Sequence, residues 1–145
     1  MDSSPLTATD TTLIEHASEI NERAFDPDFF DGAHIVAAAI RTTNGDMFSG
    51  VSLPANTGRA STCGEPVAIE QSAIAAGNRY DQIETCVAVE HPMPYKEIDE
   101  PSVIPPCGTC RELLADYGED IRIIVPVDGE NRVVRAIDLL PTRTW

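Results

Sequence analysis

The order of apolar runs and turn signals in this chain predicts an α/β fold, a mixed sheet of about five strands with helices packed on its faces. Three observations carry that expectation. Asn44-Gly45 and Asp128-Gly129 each separate two short apolar segments, the pattern of a tight hairpin. Helical periodicity comes before the first hairpin and recurs twice between the two hairpins. Two cysteine clusters, Cys63-Gly64-Glu65 and Pro106-Cys107-Gly108-Thr109-Cys110, stand where the second and third helical patterns begin. At 145 residues the chain makes one domain with a real core, and no internal repeat divides it.

Taken in order, residues 1–10 read as a flexible tail and residues 11–145 as the single domain. Leu13, Ile14, Ala17 and Ile20 recur at helical spacing, with Thr12 and Glu15 placed as a capping box, and the helix ends before Asp26-Pro27. Residues 35–40, the turn at 43–46 and residues 47–51 form a hairpin. Pro66 suits the first turn of a helix carrying Val67, Ile69, Ala73 and Ile74, which Gly77 closes. Residues 83–90 read as a buried strand, followed by a loop rich in proline and acids over 91–106. The second cysteine cluster opens a helix with Leu113, Leu114 and Tyr117 inward and Gly118 as its stop. Residues 121–127 and 132–137 are the last two strands.

The formal charge is −14, and Lys96 is the one lysine beside nine arginines. Such a surface repels phosphate backbones, so no nucleic-acid partner is expected. No stretch is apolar enough to span a bilayer, so no membrane partner is expected either. The polar start Met1-Asp2-Ser3-Ser4 does not read as a secretion signal, which places the chain in the cytoplasm. Acid-rich, lysine-poor composition suits a high-salt cytoplasm, although arginine usage also follows genome composition. In that compartment four cysteines argue for metal binding or catalysis, with a Cys63–Cys86 disulfide as the alternative.

Three thiols, Cys63, Cys107 and Cys110, can hold one zinc tetrahedrally and leave its fourth position for water. Glu65, two residues after the first thiol, then has the task of moving that water's protons. Helix N-termini favour thiolates, and Arg111 or Arg59 is placed to offset the excess negative charge. Two other readings stay open. A structural zinc needs a fourth protein ligand, for which Cys86, His91 and His34 are available; such a site would make the chain a protein-interaction module. A thioredoxin-like redox pair would use the CxxC but needs neither Cys63 nor Glu65. Cys86 alternates with Val87 and Val89, the setting of a small core residue.

With these motifs in view, the chain resembles the small cytidine deaminase family, and within it the blasticidin S deaminase group. The likeness runs from Thr12-Leu13-Ile14-Glu15 through Ala38-Ala39-Ile40, Phe48-Ser49-Gly50-Val51, Ala75-Ala76-Gly77-Asn78 and Cys107-Gly108-Thr109-Cys110-Arg111 to Leu139-Leu140-Pro141 and Trp145. The resemblance implies the cytidine deaminase-like fold, one Zn2+ per subunit held by Cys63, Cys107 and Cys110, and Glu65 as proton shuttle. It also implies a homotetramer in which an aromatic near the C-terminus, here Trp145, closes a neighbour's pocket. The bland alternative for Trp145 is a solvated chain end.

The same resemblance makes substrate choice a question. Where cytidine enzymes carry an Asn-Val-Glu run that holds the ribose hydroxyls, this chain has Ser52-Leu53-Pro54, with Asn56 just beyond. Losing such hydroxyl readers weakens the grip on ribose. His34 stands where the family has a base-stacking phenylalanine; it can stack, hydrogen-bond or pack. Gly64 replaces the alanine of the usual Cys-Ala-Glu, and Pro66 a frequent arginine. The 91–106 loop, with His91, Tyr95 and Lys96, is long and leads to the pocket mouth. The expected reaction is zinc-dependent deamination of a small-molecule, cytosine-type nucleoside, with blasticidin S or another amino-heterocycle as the alternative substrate.

Overall fold

The computed structural model describes residues 1–145, apart from the side chains of residues 71 and 72. Helix α1 (Ala8–Ala24) leads into the hairpin β1 (Val36–Thr42) and β2 (Met47–Val51). Helix α2 starts as an α-turn (Gly64–Pro66) and is wound on as a π-helix (Val67–Ile74). Then come β3 (Ile83–Glu90), β4 (Ser102–Ile104), α3 (Gly108–Tyr117), β5 (Arg122–Val127) and β6 (Glu130–Arg135). The sheet runs β2-β1-β3-β5-β6, with β4 also on β3. Only β3 and β5 are parallel, so the sheet is mixed as expected.

The sheet has six strands rather than about five. The extra one, β4, pairs with Ala88–Glu90 of β3, while β5 pairs with Thr85–Val87; the two share one edge of β3. Three residues between Pro101 and Pro105 are too few for an alternation pattern, so in sequence they merge with the loop.

Period-two alternation sorts the sheet's side chains into two cores. Ala38, Ile40, Cys86, Ala88, Ile123 and Val125 pack under Ala68, Ile69 and Ala73 of α2 and Leu114 and Ala115 of α3. Ala37, Ala39, Val87, Val89 and Ile124 face Leu13 and Ala17 of α1 on the other side. Cys86 is therefore a buried core residue. The small side chains of β1 let α2 approach closely. A Cβ at Gly50 would lie 2.6 Å from Val67 Cβ, and one at Gly64 would lie 2.9 Å from Ala38 N.

Helix α1 begins four residues before Thr12. Thr7 is its N-cap, in a capping box with Asp10, and the Thr12 hydroxyl instead donates to the Ala8 carbonyl inside the helix. The reason is tertiary. Asp10 is fully buried and accepts from Arg122 at 2.7 and 2.8 Å and from Arg41 at 3.2 Å. Thr85 Oγ1 accepts from both guanidinium groups, and Arg41 Nε also reaches Glu84. Burial pushes the Asp10 carboxyl up, but the Arg122 guanidinium and the Thr7 amide outweigh it and hold it well below the usual range. Ser4 further exchanges two backbone bonds with Val133, and Arg132 donates to Ser3 Oγ. Residues 3–10 are thus tied into the domain rather than forming a flexible tail.

Candidate metal centre and active site

Two helix starts meet at the end of the sheet where β1 begins. Cys63 is the N-cap of α2, Cys107 is the N-cap of α3, and Cys110 lies in the first turn of α3. The segment before Cys63 is pinned by a double backbone bond between Leu53 and Thr62, at 3.0 Å each way. The turn before α3 is held by Arg111 Nε, which donates to the Pro106 carbonyl at 2.8 Å. Arg59 sits exposed in a short turn, Gly58–Ala60.

The three sulfurs lie within 4.8 Å of one another, with Cys63 Sγ and Cys107 Sγ 3.3 Å apart, and all three cysteines are free thiols. A zinc ion bonded to thiolates at about 2.3 Å would set its sulfurs about 3.8 Å apart, so the cluster has the right size. Soft thiolates are also the donors that suit zinc. Glu65 lies in the first turn of α2, is 2% exposed, and its Oε2 has no hydrogen-bond partner among the described residues. A buried carboxylate oxygen left unpaired is costly unless a ligand or a proton comes to it.

The electrostatics describe a site crowded with acids. Burial, and then the neighbouring Cys107 thiol, push Cys63 up to about 11. Burial and then the Glu65 charge raise Cys110. Cys107 is also pushed up by burial, but bonds from the Cys110 amide and the thiols of Cys63 and Cys110 outweigh that and lower it. Burial raises the Glu65 carboxyl against bonds from its own amide and from Cys110. A divalent cation among these groups would relieve all of these penalties at once. The donor set, its size and the orphaned Glu65 oxygen fit zinc.

Other sequence candidates fall in different places. A cavity of about 180 Å³ is lined by Cys63, Cys107, Glu65, Val36, Ser52, Thr62, Ile104 and Pro105. Ser52 therefore lines the site. His34 stands behind it, its Nδ1 2.8 Å from the Ser52 carbonyl. Asn56 is exposed in a bend and Trp145 is 76% exposed, and neither lines this cavity. The alternative fourth zinc ligands are used elsewhere: Cys86 in the core, His34 on Ser52, and His91 stacked on Phe25 at 3.8 Å. Among the described residues the metal-binding group holds three thiols and no histidine.

Sequence reasoning missed Val36, Thr62, Ile104 and Pro105 as cavity walls. Thr62 and Pro105 stand within two residues of a metal-site cysteine, which was the available clue. Ile104 ends β4, so the 91–106 loop reaches the pocket through its last residues. Its earlier part, with Pro92, Met93, Pro94 and Lys96, forms a separate cleft against Phe25 and Pro27. No helix among the described residues is long and apolar enough to cross a membrane.

The mixed α/β sheet brings two helix N-termini, three thiols and a buried carboxyl group together, an arrangement of the metal-binding enzyme class. The comparisons give the family. Blasticidin-S deaminase from Bacillus cereus is 36% identical over 135 residues, 92% of this chain and 91% of the relative. The crystal structure of cytidine deaminase from Burkholderia pseudomallei matches with a TM-score of 0.71 at 28% identity, covering 96% of this chain and all of that one. The cytidine deaminase of Bacillus anthracis also gives 0.71, over 92% of this chain and 87% of its own, and at 20% identity it speaks for the fold alone. No family model matches the chain. The chain belongs to the cytidine deaminase family and is an enzyme of the hydrolytic deaminase class.

Proposed function

We propose that this enzyme deaminates a cytosine-type nucleoside by hydrolysis, giving the uracil-type product and ammonia. The observation that carries the reading is the buried Glu65 carboxyl, with one oxygen unpaired, beside Cys63, Cys107 and Cys110. The three thiolates would hold the metal, and the chemistry zinc supplies in such a site is Lewis acidity that brings the pKa of water toward neutrality. Glu65 is the proton carrier. Its carboxylate takes a proton from the attacking water and passes it to the ring nitrogen next to the reacting carbon. It then takes the second oxygen-borne proton and delivers it to the exocyclic nitrogen, which leaves as ammonia. A carboxyl raised by burial suits this work, because acid–base catalysis is best when the group's pKa lies near the working pH. Val36, Ile104 and Pro105 give the ring an apolar seat and keep bulk water away.

The 36% identical relative, together with Ser52-Leu53-Pro54 in place of the ribose-reading run, favours a second reading, in which the substrate is blasticidin S. Both readings place the enzyme in the cytoplasm as a homotetramer in which Trp145 of a neighbouring subunit closes the pocket. The test is ammonia release by zinc-loaded enzyme from cytidine, deoxycytidine, cytosine and blasticidin S, with Glu65→Ala as control. Turnover of the nucleosides supports the first reading and turnover of blasticidin S alone the second. Glu65→Ala is expected to keep zinc and fold and to lose about a thousandfold in rate. A variant that still turns over at the wild-type rate would remove Glu65 from the mechanism.

A further inference from the structure

The end of the β1–β2 hairpin departs from a regular ladder. Val36 and Ser52 face each other one step beyond the Ala37–Val51 pair. Ser52 N–H donates to the Val36 carbonyl at 2.8 Å, so this is a hydrogen-bonded position, where the Val36 amide should donate in return to the Ser52 carbonyl. It does not. The Val36 amide donates to Ser52 Oγ at 3.1 Å, and the Ser52 carbonyl is taken by His34 Nδ1 at 2.8 Å.

A carbonyl oxygen only accepts, so His34 Nδ1 carries the proton in this contact. His34 holds this place with a left-handed backbone, φ +58°, a conformation that non-glycine residues adopt at a cost and that asparagine tolerates best. The residue is also anchored from behind, since the buried Asn21 side chain donates to the Ile35 carbonyl at 2.9 Å and reaches the His34 carbonyl at 3.4 Å. The exchange has a consequence for Ser52. Its oxygen is fixed by the Val36 amide, while its own hydroxyl proton goes to no acceptor among the described residues, in a side chain that lines the cavity with Glu65 and Cys63.

We propose that His34 is a positioning residue that turns the Ser52 carbonyl out of the ladder, so that the Ser52 hydroxyl is presented to the cavity as a hydrogen-bond donor to a substrate oxygen. His34 itself does not stack on the ring. This rests on the deaminase reading above, and it assigns to the Ser52–His34 pair the substrate recognition this chain uses in place of a longer polar side chain. An uncharged donor of this kind recognises a carbonyl or hydroxyl oxygen.

The experiment compares Ser52→Ala, His34→Ala, His34→Asn and the Ser52→Ala/His34→Ala double variant on the best substrate of the wild-type enzyme. Ser52→Ala and His34→Ala are each expected to raise KM about tenfold with kcat within about twofold, the worth of one neutral hydrogen bond. The double variant should match the single ones, because both remove the same contact. His34→Asn keeps an N–H at the Nδ1 position and accepts a positive φ, so it should restore KM to within about twofold of wild type. Additive losses in the double variant, or an unrestored His34→Asn, would overturn the proposal. A second measurement does not depend on turnover: nitrogen NMR of the free enzyme, at a pH where imidazole is neutral, should find His34 protonated at Nδ1. Protonation at Nε2 would sink the positioning role even with an active enzyme, whereas an inactive wild type with the Nδ1 tautomer would count against the deaminase reading alone.

Discussion

Two polar clusters lie toward opposite ends of β1, and they are built by opposite rules. At the Arg41 end, Asp10 is buried between two guanidinium groups, a threonine hydroxyl and the N-terminal turn of α1, and both its oxygens are bonded. At the Val36 end, three thiols and a carboxyl group crowd together, and Glu65 Oε2 is left without a partner among the described residues. In the first cluster the carboxylate is fully paired within the chain and the charges offset one another, with Arg41 Nη1 buried without a partner among the described residues. The second would be made of like charges once ionised and is complete only with a cation and a substrate. A buried carboxylate paired within the chain marks a structural joint; a buried carboxyl oxygen left unpaired among crowded acids marks a place where chemistry is done.

The sharpest way to break this contrast is to remove a ligand. Cys110→Ala or Cys107→Ala should bring bound zinc to near zero and cut activity by at least about a thousandfold. Metal analysis of the purified variants checks it. A full equivalent of zinc in either variant would mean that the three thiols are not the ligand set.

The opposite cluster should answer to stability and pH instead. Asp10→Asn leaves two guanidinium groups without their shared carboxylate and is expected to cost about 3 kcal/mol at pH 7. Asp10 titrates lower in the folded chain than the roughly 3.9 of an unfolded aspartate. Its contribution is therefore complete above that value and is lost as the pH falls below it. Urea unfolding at pH 7 and at pH 3 should find the gap between wild type and Asp10→Asn narrowing on acidification. A gap of constant size would show that Asp10 acts through packing rather than charge. Zinc content at pH 7 should not change.

Much of the metal end was legible in the sequence, and the reason is physical. Thiol ligands need cysteine at fixed spacing, and the helix starts that favour thiolates leave their own marks, Pro66 after Glu65 and Gly108 after Cys107. The Asp10 cluster was not legible. Its partners come from residues 31 and 112 positions away, so Thr12 and Glu15 offered an equally good local cap and nothing nearby favoured Thr7. Strand β4 was hidden for a related reason, since its pairing with Ala88–Glu90 exists only once the 91–106 loop has folded back. Ser52 and His34 were visible as candidates, but their bond depends on a backbone carbonyl turned out of the ladder, which no side-chain pattern records.

The smallest expected effect concerns how rigidly the metal end is held. Gly50 and Gly64 face each other where α2 rests on the hairpin, and a Cβ at Gly50 would lie 2.7 Å from both the Ala68 amide and the Gly64 carbonyl. The obstacle is backbone, so Gly50→Ala must lift α2 off β2, and overpacking of this kind costs about 2 kcal/mol. In a chain of this size that lowers Tm by about 6 °C. Because α2 carries Cys63 and Glu65 while α3 carries Cys107 and Cys110, the same shift should separate the thiols and speed zinc loss to a chelator. Gly64→Ala restores the alanine of the more usual motif and meets Ala38 N at 2.9 Å and the Gly50 carbonyl at 3.0 Å, a lesser misfit worth about 1 kcal/mol. Chelator-driven zinc release should therefore rank Gly50→Ala fastest, then Gly64→Ala, then wild type. If Gly64→Ala matched wild type in both Tm and zinc release, the α2–β1 contact would have slack. The spacing of the thiols would then be set by the Leu53–Thr62 pair and the Arg111 bond rather than by the fit of helix on strand.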